Sequence, residues 1–286
     1  MELYEMYQPQ IATPFTYNYA YIEIPPCKEL LPYVKCFWGS PKPYIEHWRD
    51  ISAGGLIIPD TCMDIIFDIN YSNNTINSWF AGLDDTPLCI KAPDFKCFKE
   101  SMVSTFGIRF YAWGTVMFSE ESMNHTKGNL VGAEYFFSKI KSDLERFLFE
   151  VDDIYDRVRL AQQYLLKSIC LKHYNETIFK AIYEMLRNNG GMKIAQLAKE
   201  IHLSERQLQR VFDEYIGISP KKLSSLFRYQ YLWREILYNK EFNIAEQVYR
   251  LGYADQAHLL NDFKKFHTMT PKGARLFAFK DVGFFQ

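Results

Sequence analysis

The chain has 286 residues, a formal net charge of −1, and 48% hydrophobic and 17% aromatic residues. That length suits two domains with sizeable cores, and no apolar run reaches the length of a signal peptide or a membrane span, so a cytoplasmic protein is expected. The six cysteines show no C-x-x-C spacing, which argues against a disulfide framework and leaves them as small buried hydrophobes.

Residues 1–132 read as a β-rich domain. The alternating stretch Phe15 to Ile24 suits a strand and is stopped by Pro25-Pro26. Glu29 to Trp38 reads as a short helix leading into a strand, and Pro41 and Pro43 break the chain again. Short apolar runs follow at Ser52–Pro59, Met63–Asn70, Ser78–Gly82 and Ser101–Phe110, with a hairpin turn at Asn73-Asn74. Many short strands between regular turns predict a small barrel or sandwich.

Within it, Arg109 lies between the apolar residues Ile108 and Phe110, so it faces the opposite side of its strand. An inward Arg needs a carboxylate or an anionic partner. One reading is a structural ion pair with Asp64 or Asp68 that ties strands together. The other is an effector pocket in which Arg109 meets an acidic ligand, walled by Trp38, Trp48 and Phe67, with Asp64 and Cys62 beside it. The structural pair is the favoured reading.

The period then becomes helical. Residues 133–170 form a helical dimerisation or linker region. Ala133 to Phe149 places Phe136, Phe137, Ile140, Leu144, Phe147 and Leu148 on one stripe, and Ile154 to Ile169 follows. Such a stripe serves packing on the barrel or a homodimer interface equally well. Leu171 to Tyr174 reads as a hinge, and Asn175 as the cap of the next helix.

Residues 171–286 carry one pattern twice. Leu208, Phe212 and Pro220 return fifty-one residues later as Leu259, Phe263 and Pro271. Each copy reads as helix, tight turn, helix, with Ser204 placed as the N-cap of the second helix in the first copy. Leu208, Val211, Phe212 and Tyr215 face a core, which leaves Arg206, Gln207, Gln209, Arg210 and Asp213 outward. Arg suits guanine O6/N7 and Gln suits adenine N6/N7 in bidentate geometry, and the first turns of such a helix reach base edges. Between the copies, Ser219 and Pro220 start a helix running to Asn239, with Leu223, Leu226, Phe227, Gln230, Tyr231, Ile236 and Leu237 in period. A rod of about 30 Å can hold two reading helices in grooves about 34 Å apart. From Leu171 onward there are 18 Lys and Arg against 12 Asp and Glu, so the basic part of the chain is the part with the repeats.

Ile244 to Phe263, with Gly252, Gln256 and His258, followed by Thr270-Pro271 and Arg275, resembles the signature of the AraC-type transcription regulators, and the match runs over most of Asn175 to Phe277. The resemblance implies double-stranded DNA as a partner, with RNA polymerase beside it. It places Arg206, Gln209 and Arg210 on bases, with Gln207 as a further position, and Gln256, His258 and Asn261 in the second module, with Lys264 and Lys265 toward phosphate. Asn261 stands where that family often has Arg, Thr268 where a Gly usually ends the helix, and His202 in place of a turn Gly. A β-branched residue in a left-handed turn is strained, so the turn at Thr268 is expected to differ. Leu56 to Phe67 and Phe106 to Phe110 resemble the N-terminal sensor domain of one branch of the same family.

The six histidines form no H-x-x-x-H or H-E-x-x-H pattern, and there is no G-x-S-x-G and no phosphate-cradling glycine loop. No enzyme, cofactor or metal is expected. The expected fold is α+β: a barrel- or sandwich-like domain with flanking helices, then an all-α domain of two helix-turn-helix modules joined by a long helix. The expected function is a sequence-specific DNA-binding regulator controlled by a small-molecule effector. The alternatives are a thiol or metal sensor using Cys62, an enzyme whose product governs DNA binding, and a ligand-independent regulator governed by a partner protein.

Overall fold

The computed structural model describes residues 2–12, 20–47, 55–90, 98–124 and 126–280. After a short helix α1 (Leu3–Met6) come β1 (Ile22–Ile24), β2 (Val34–Gly39), β3 (Tyr44–Glu46), β4 (Gly55–Ile57), β5 (Cys62–Asn70), β6 (Thr75–Ala81), β7 (Leu88–Ile90), β8 (Ser101–Tyr111) and β9 (Leu130–Gly132). The helices that follow are α2 (Glu134–Leu148), α3 (Ile154–Ser168), α4 (Glu176–Arg187), α5 (Ile194–Glu200), α6 (Glu205–Ile216), α7 (Pro220–Tyr238), α8 (Ile244–Arg250), α9 (Gln256–His267) and α10 (Pro271–Lys280).

The strands make a seven-stranded antiparallel sheet of order β1-β2-β8-β5-β6-β9, with β3 also paired to β8, and a separate two-stranded ladder of β4 and β7. Alternation along β5 and β8 sorts the two faces. Met63, Ile65, Phe67 and Ile69 of β5, with Phe106, Ile108 and Phe110 of β8, are buried on one side. Against them α2 lays Phe137, 5.0 Å from Phe80 and stacked near Phe110, and α3 packs against α2. Arg157 of α3 is buried, with no carboxylate in ion-pair reach among the described residues. It donates instead to Ser104 Oγ (2.6 Å), Tyr71 OH (2.6 Å) and the Val151 carbonyl (2.7 Å), which pins α3 to the sheet.

The opposite face carries Cys36 and Trp38 of β2, Asp64 of β5 and Arg109 of β8. Cys36, Arg109 and Asp64 stand in one row across three strands. Gly107 lies under Trp38, and a Cβ there would strike the indole ring, so glycine lets the ring lie flat on the sheet.

Some expectations are corrected by these elements. Residues 28–33 form successive hydrogen-bonded turns rather than a helix before β2. Strands β3, β7 and β9 were not expected. Each has three residues and is held by partners distant in sequence, so no local period marks it. The expected strand over Phe15 to Ile24 is described only from Ala20, and of Ser52 to Pro59 only residues from Gly55 are described. No helix is long and apolar enough to cross a membrane among the described residues.

Candidate nucleic-acid interface and sensor cluster

Each C-terminal repeat is a helix, a tight turn and a second helix. In the first, α5 ends at the turn through His202, whose φ of 58° lies in the left-handed region. Ser204 caps α6 by accepting from Gln207 N at 3.2 Å, and Gln207 Oε1 accepts from Ser204 N at 2.9 Å, a reciprocal capping box. Leu208, Phe212 and Ile216 are fully buried, while Arg206 and Arg210 are exposed. Gln209 is half-buried and donates to Asp213 Oδ1 at 2.7 Å. The four side chains therefore differ in freedom. Arg206 and Arg210 are unengaged by any hydrogen bond among the described residues, Gln209 is tethered, and Gln207 is committed to the cap.

In the second repeat Asp255 caps α9 through His258 N at 2.7 Å, and Leu259, Phe263 and Phe266 are buried. Gln256, His258, Asn261, Lys264 and Lys265 are all exposed. The imidazole of His258 lies edge-on to Tyr253 at 5.2 Å. Thr268 does occupy the left-handed turn, with φ of 64°, so the turn keeps the usual backbone with a β-branched residue in it. The connector α7 has nineteen residues, starts with Ser219 as cap and Pro220 at its first turn, and is buried on nearly every side.

On the sheet, Arg109 Nε is 3.0 Å from Asp64 Oδ1, its NH1 is 3.5 Å from Asp60 Oδ2 and 3.9 Å from Glu23 Oε1, and its guanidinium lies 5.7 Å from the Trp38 ring centre. Trp38 Nε1 donates to the same Asp64 oxygen at 2.7 Å. Asp68, the other partner considered, instead accepts from Thr105 Oγ1 at 3.4 Å. Burial opposes the Arg109 charge, but Asp64 and Asp60 outweigh it and hold the guanidinium firmly protonated. Burial works against the charge of Glu23 too, yet Tyr21, Lys35 and Arg109 together keep that carboxyl below its ordinary value.

One pocket candidate does not belong here. Phe67 is fully buried on the helix-facing side, 6.3 Å from Phe106, and cannot wall a site around Arg109. Trp48 lies outside the described residues. Cys62 is buried, and burial with Asp60 beside it pushes its thiol well up, which opposes nucleophilic or redox use. Burial likewise pushes Cys36 up to about 12. Among the described residues no group of His, Cys, Asp and Glu is arranged to hold a metal ion.

Two helix-turn-helix units on one stiff connector, each with an exposed polar or basic second helix, define a DNA-binding protein. A family match covers the same part of the chain. Residues 197–276 match a family described as a helix-turn-helix domain, and residues 22–131 match a domain of unknown function, DUF6597. Residues 197–276 therefore form a helix-turn-helix DNA-binding domain, preceded by an N-terminal β-rich domain. No curated protein matches it.

Solved structures similar to it include an AraC-type DNA-binding-domain regulator from Chromobacterium violaceum, 21% identical, covering 36% of this chain and 92% of that one with a TM-score of 0.33. ToxT from Vibrio cholerae is 12% identical in its apo form, covering 82% and 93% with a TM-score of 0.40. ToxT bound to an unsaturated fatty acid is 10% identical, covering 92% and 97% with a TM-score of 0.38. These scores are low, and the assignment rests on the family match.

Proposed function

We propose that Arg206 and Arg210 of α6 read bases in one major groove, with Gln209 joining when DNA displaces its Asp213 bond, and that Gln256, His258 and Asn261 of α9 enter the next groove. Lys264 and Lys265 face phosphate. The observation that carries this reading is the pair of exposed, unengaged arginines at the capped end of α6. Gln207, held in the cap, is left to shape the helix start rather than to read a base. Footprinting of the full chain on duplexes selected from a random pool tests it. Two protected major-groove segments about 10 base pairs apart on one face are expected; a single protected segment would confine reading to one module.

The N-terminal domain is proposed to sense a small molecule at the face bearing Arg109, Asp64, Asp60, Glu23 and Trp38. Three carboxylates already surround Arg109, so the cluster favours a ligand with hydrogen-bond donors or positive charge over an acid. A ligand that binds unequally to two arrangements of the sensor shifts how it holds the reading heads. RNA polymerase contact and a homodimer through α2 and α3 complete the proposal. The exposed Tyr135 and Tyr155 on these helices support the dimer. Sedimentation over a concentration series checks it, and a monomer throughout would remove the dimer from the proposal.

A further inference from the structure

We infer that Gln230 is the positioning residue through which the sensor sets the connector α7, and so the spacing of the two reading heads. The regulatory part of this inference rests on the sensing role proposed for the Arg109 cluster.

Gln230 sits mid-way along α7 and is 2% exposed. Its amide is fully used outside its own domain. Nε2 donates to the Pro59 carbonyl at 2.7 Å and to the Gln10 carbonyl at 3.2 Å, and Oε1 accepts from Gln10 N at 2.7 Å. Three residues on, and so on the same helix face, Trp233 Nε1 donates to the Ile11 carbonyl at 3.0 Å. Tyr7 fills the space beside them, edge-on to Phe227 at 4.9 Å and to Tyr231 at 5.8 Å.

The three-residue turn Pro59-Asp60-Thr61 is what makes this more than packing. Pro59 holds Gln230. Asp60, the next residue, is the 3.5 Å partner of Arg109, and its Oδ1 accepts from Cys62 N at 3.0 Å. Thr61 accepts or donates at 2.8 Å with Tyr7 OH and has a φ of 65°, a left-handed backbone that a β-branched residue adopts only under constraint. This strained segment therefore touches the charged cluster through Asp60, α7 directly through Pro59, and α7 indirectly through Thr61 and Tyr7. Asp60 Oδ2 faces Arg109 while its Oδ1 is tied to Cys62 N, so a change at Arg109 is passed through that bond to the backbone of the segment. At the other end, α7 cannot leave the sensor without stripping hydrogen bonds from a buried amide and a buried carbonyl, so intermediate positions are disfavoured. That combination gives discrete docked and undocked arrangements.

The test uses the full chain and needs no effector. Gln230→Met keeps helix propensity and length and removes all three bonds. Amide hydrogen exchange is read over residues 10–12, 59–62 and 223–237, and binding is read on selected duplexes and on the same duplexes with one base pair inserted between the half-sites. Expected are exchange at least tenfold faster at residues 10–12 and 59–62, and a smaller loss of affinity on insertion than for the parent chain. A glutamine that serves stability alone would lower Tm and leave the insertion penalty unchanged; that result, or unchanged exchange in the 59–62 turn, overturns the inference. Should Gln230→Met fail to fold, Trp233→Phe removes the Ile11 bond alone and is read the same way. Arg109→Gln is the parallel variant for the sensing role. If it leaves the exchange of residues 223–237 unchanged while Gln230→Met alters it, the Gln230 contact stands and the sensing role falls.

Discussion

The two helix-turn-helix modules repeat one sequence pattern, yet the structure satisfies them unequally. The first is capped by a reciprocal Ser204–Gln207 box and closed by Gly217, whose φ of 81° suits glycine. It is also gripped by the sensor: Met123 N donates to the Glu214 carbonyl at 2.8 Å, Asp85 lies 3.3 Å from Lys222 and 2.8 Å from Lys127, and Thr126 sits where a Cβ on Gly217 would be. The second is closed by Thr268, strained where the first has glycine. Gln247 Oε1 and His267 Nε2 are buried in it without a hydrogen-bond partner among the described residues, and no hydrogen bond or ion pair joins Ile244–His267 to the sheet domain among them. One fold pattern thus yields a braced module and a looser one, and the difference lies in turn residues and neighbours rather than in the apolar stripe.

The widest gap should come from exchanging the turn residues. Gly217→Ala adds a Cβ against Thr126 and Met123 in a left-handed backbone, and is expected to destabilise the chain by about 3 kcal/mol in denaturant unfolding. A cost below half of that would show that the sensor does not brace the first module.

Acid should separate the modules next. His267 is fully buried, donates or accepts at 2.8 Å with Tyr229 OH, and burial lowers it from 6.5 to about 4. The folded value lies below the unfolded one, so the unfolded chain takes the proton first. The stabilising contribution is complete above pH 6.5 and is lost as pH falls toward about 4. It amounts to on the order of 3 kcal/mol. Exchange protection of α9 should decline over that window before that of α6, and His267→Phe should flatten the decline. Equal loss in both helices would contradict the difference drawn here.

The smallest of these effects sharpens the comparison from the other side. Thr268→Gly relieves the left-handed strain and is expected to raise stability by about 1 kcal/mol, read as a rise in Tm. No rise would mean that contacts of the threonine offset its backbone.

Much of the C-terminal region could be read from residues in series. Ser204, Ser219 and Asn175 signal helix starts on their own, and they cap α6, α7 and α4 as read. The stripe of Leu208 and Phe212 marks the buried face, and Gln230 was placed on the stripe of α7. What could not be read was why a glutamine sits there, because its partners lie at Pro59 and Gln10, more than a hundred residues away. The same limit applies to the cluster. Alternation put Arg109 opposite Ile108 and left Asp64 and Asp68 as partners, of which Asp64 is the one paired. The addition of Glu23 depends on the register of β1 on β2, that of Asp60 on the path of the loop before β5, and the exclusion of Phe67 follows from the period of β5, which places it and Asp64 on opposite faces. Gln207 looked outward by spacing and is outward, but the capping bond that occupies it is a matter of rotamer, which spacing does not carry.

The most direct test of DNA reading is to compare parent and Arg206→Ala chains on a complete set of single-base variants of a selected duplex at fixed salt. A base-reading Arg206 predicts a loss of about 1–3 kcal/mol on the selected duplex and a relaxed preference at one base pair of one half-site. Equal weakening on every variant, with the preference intact, would make Arg206 a phosphate contact and contradict the assignment.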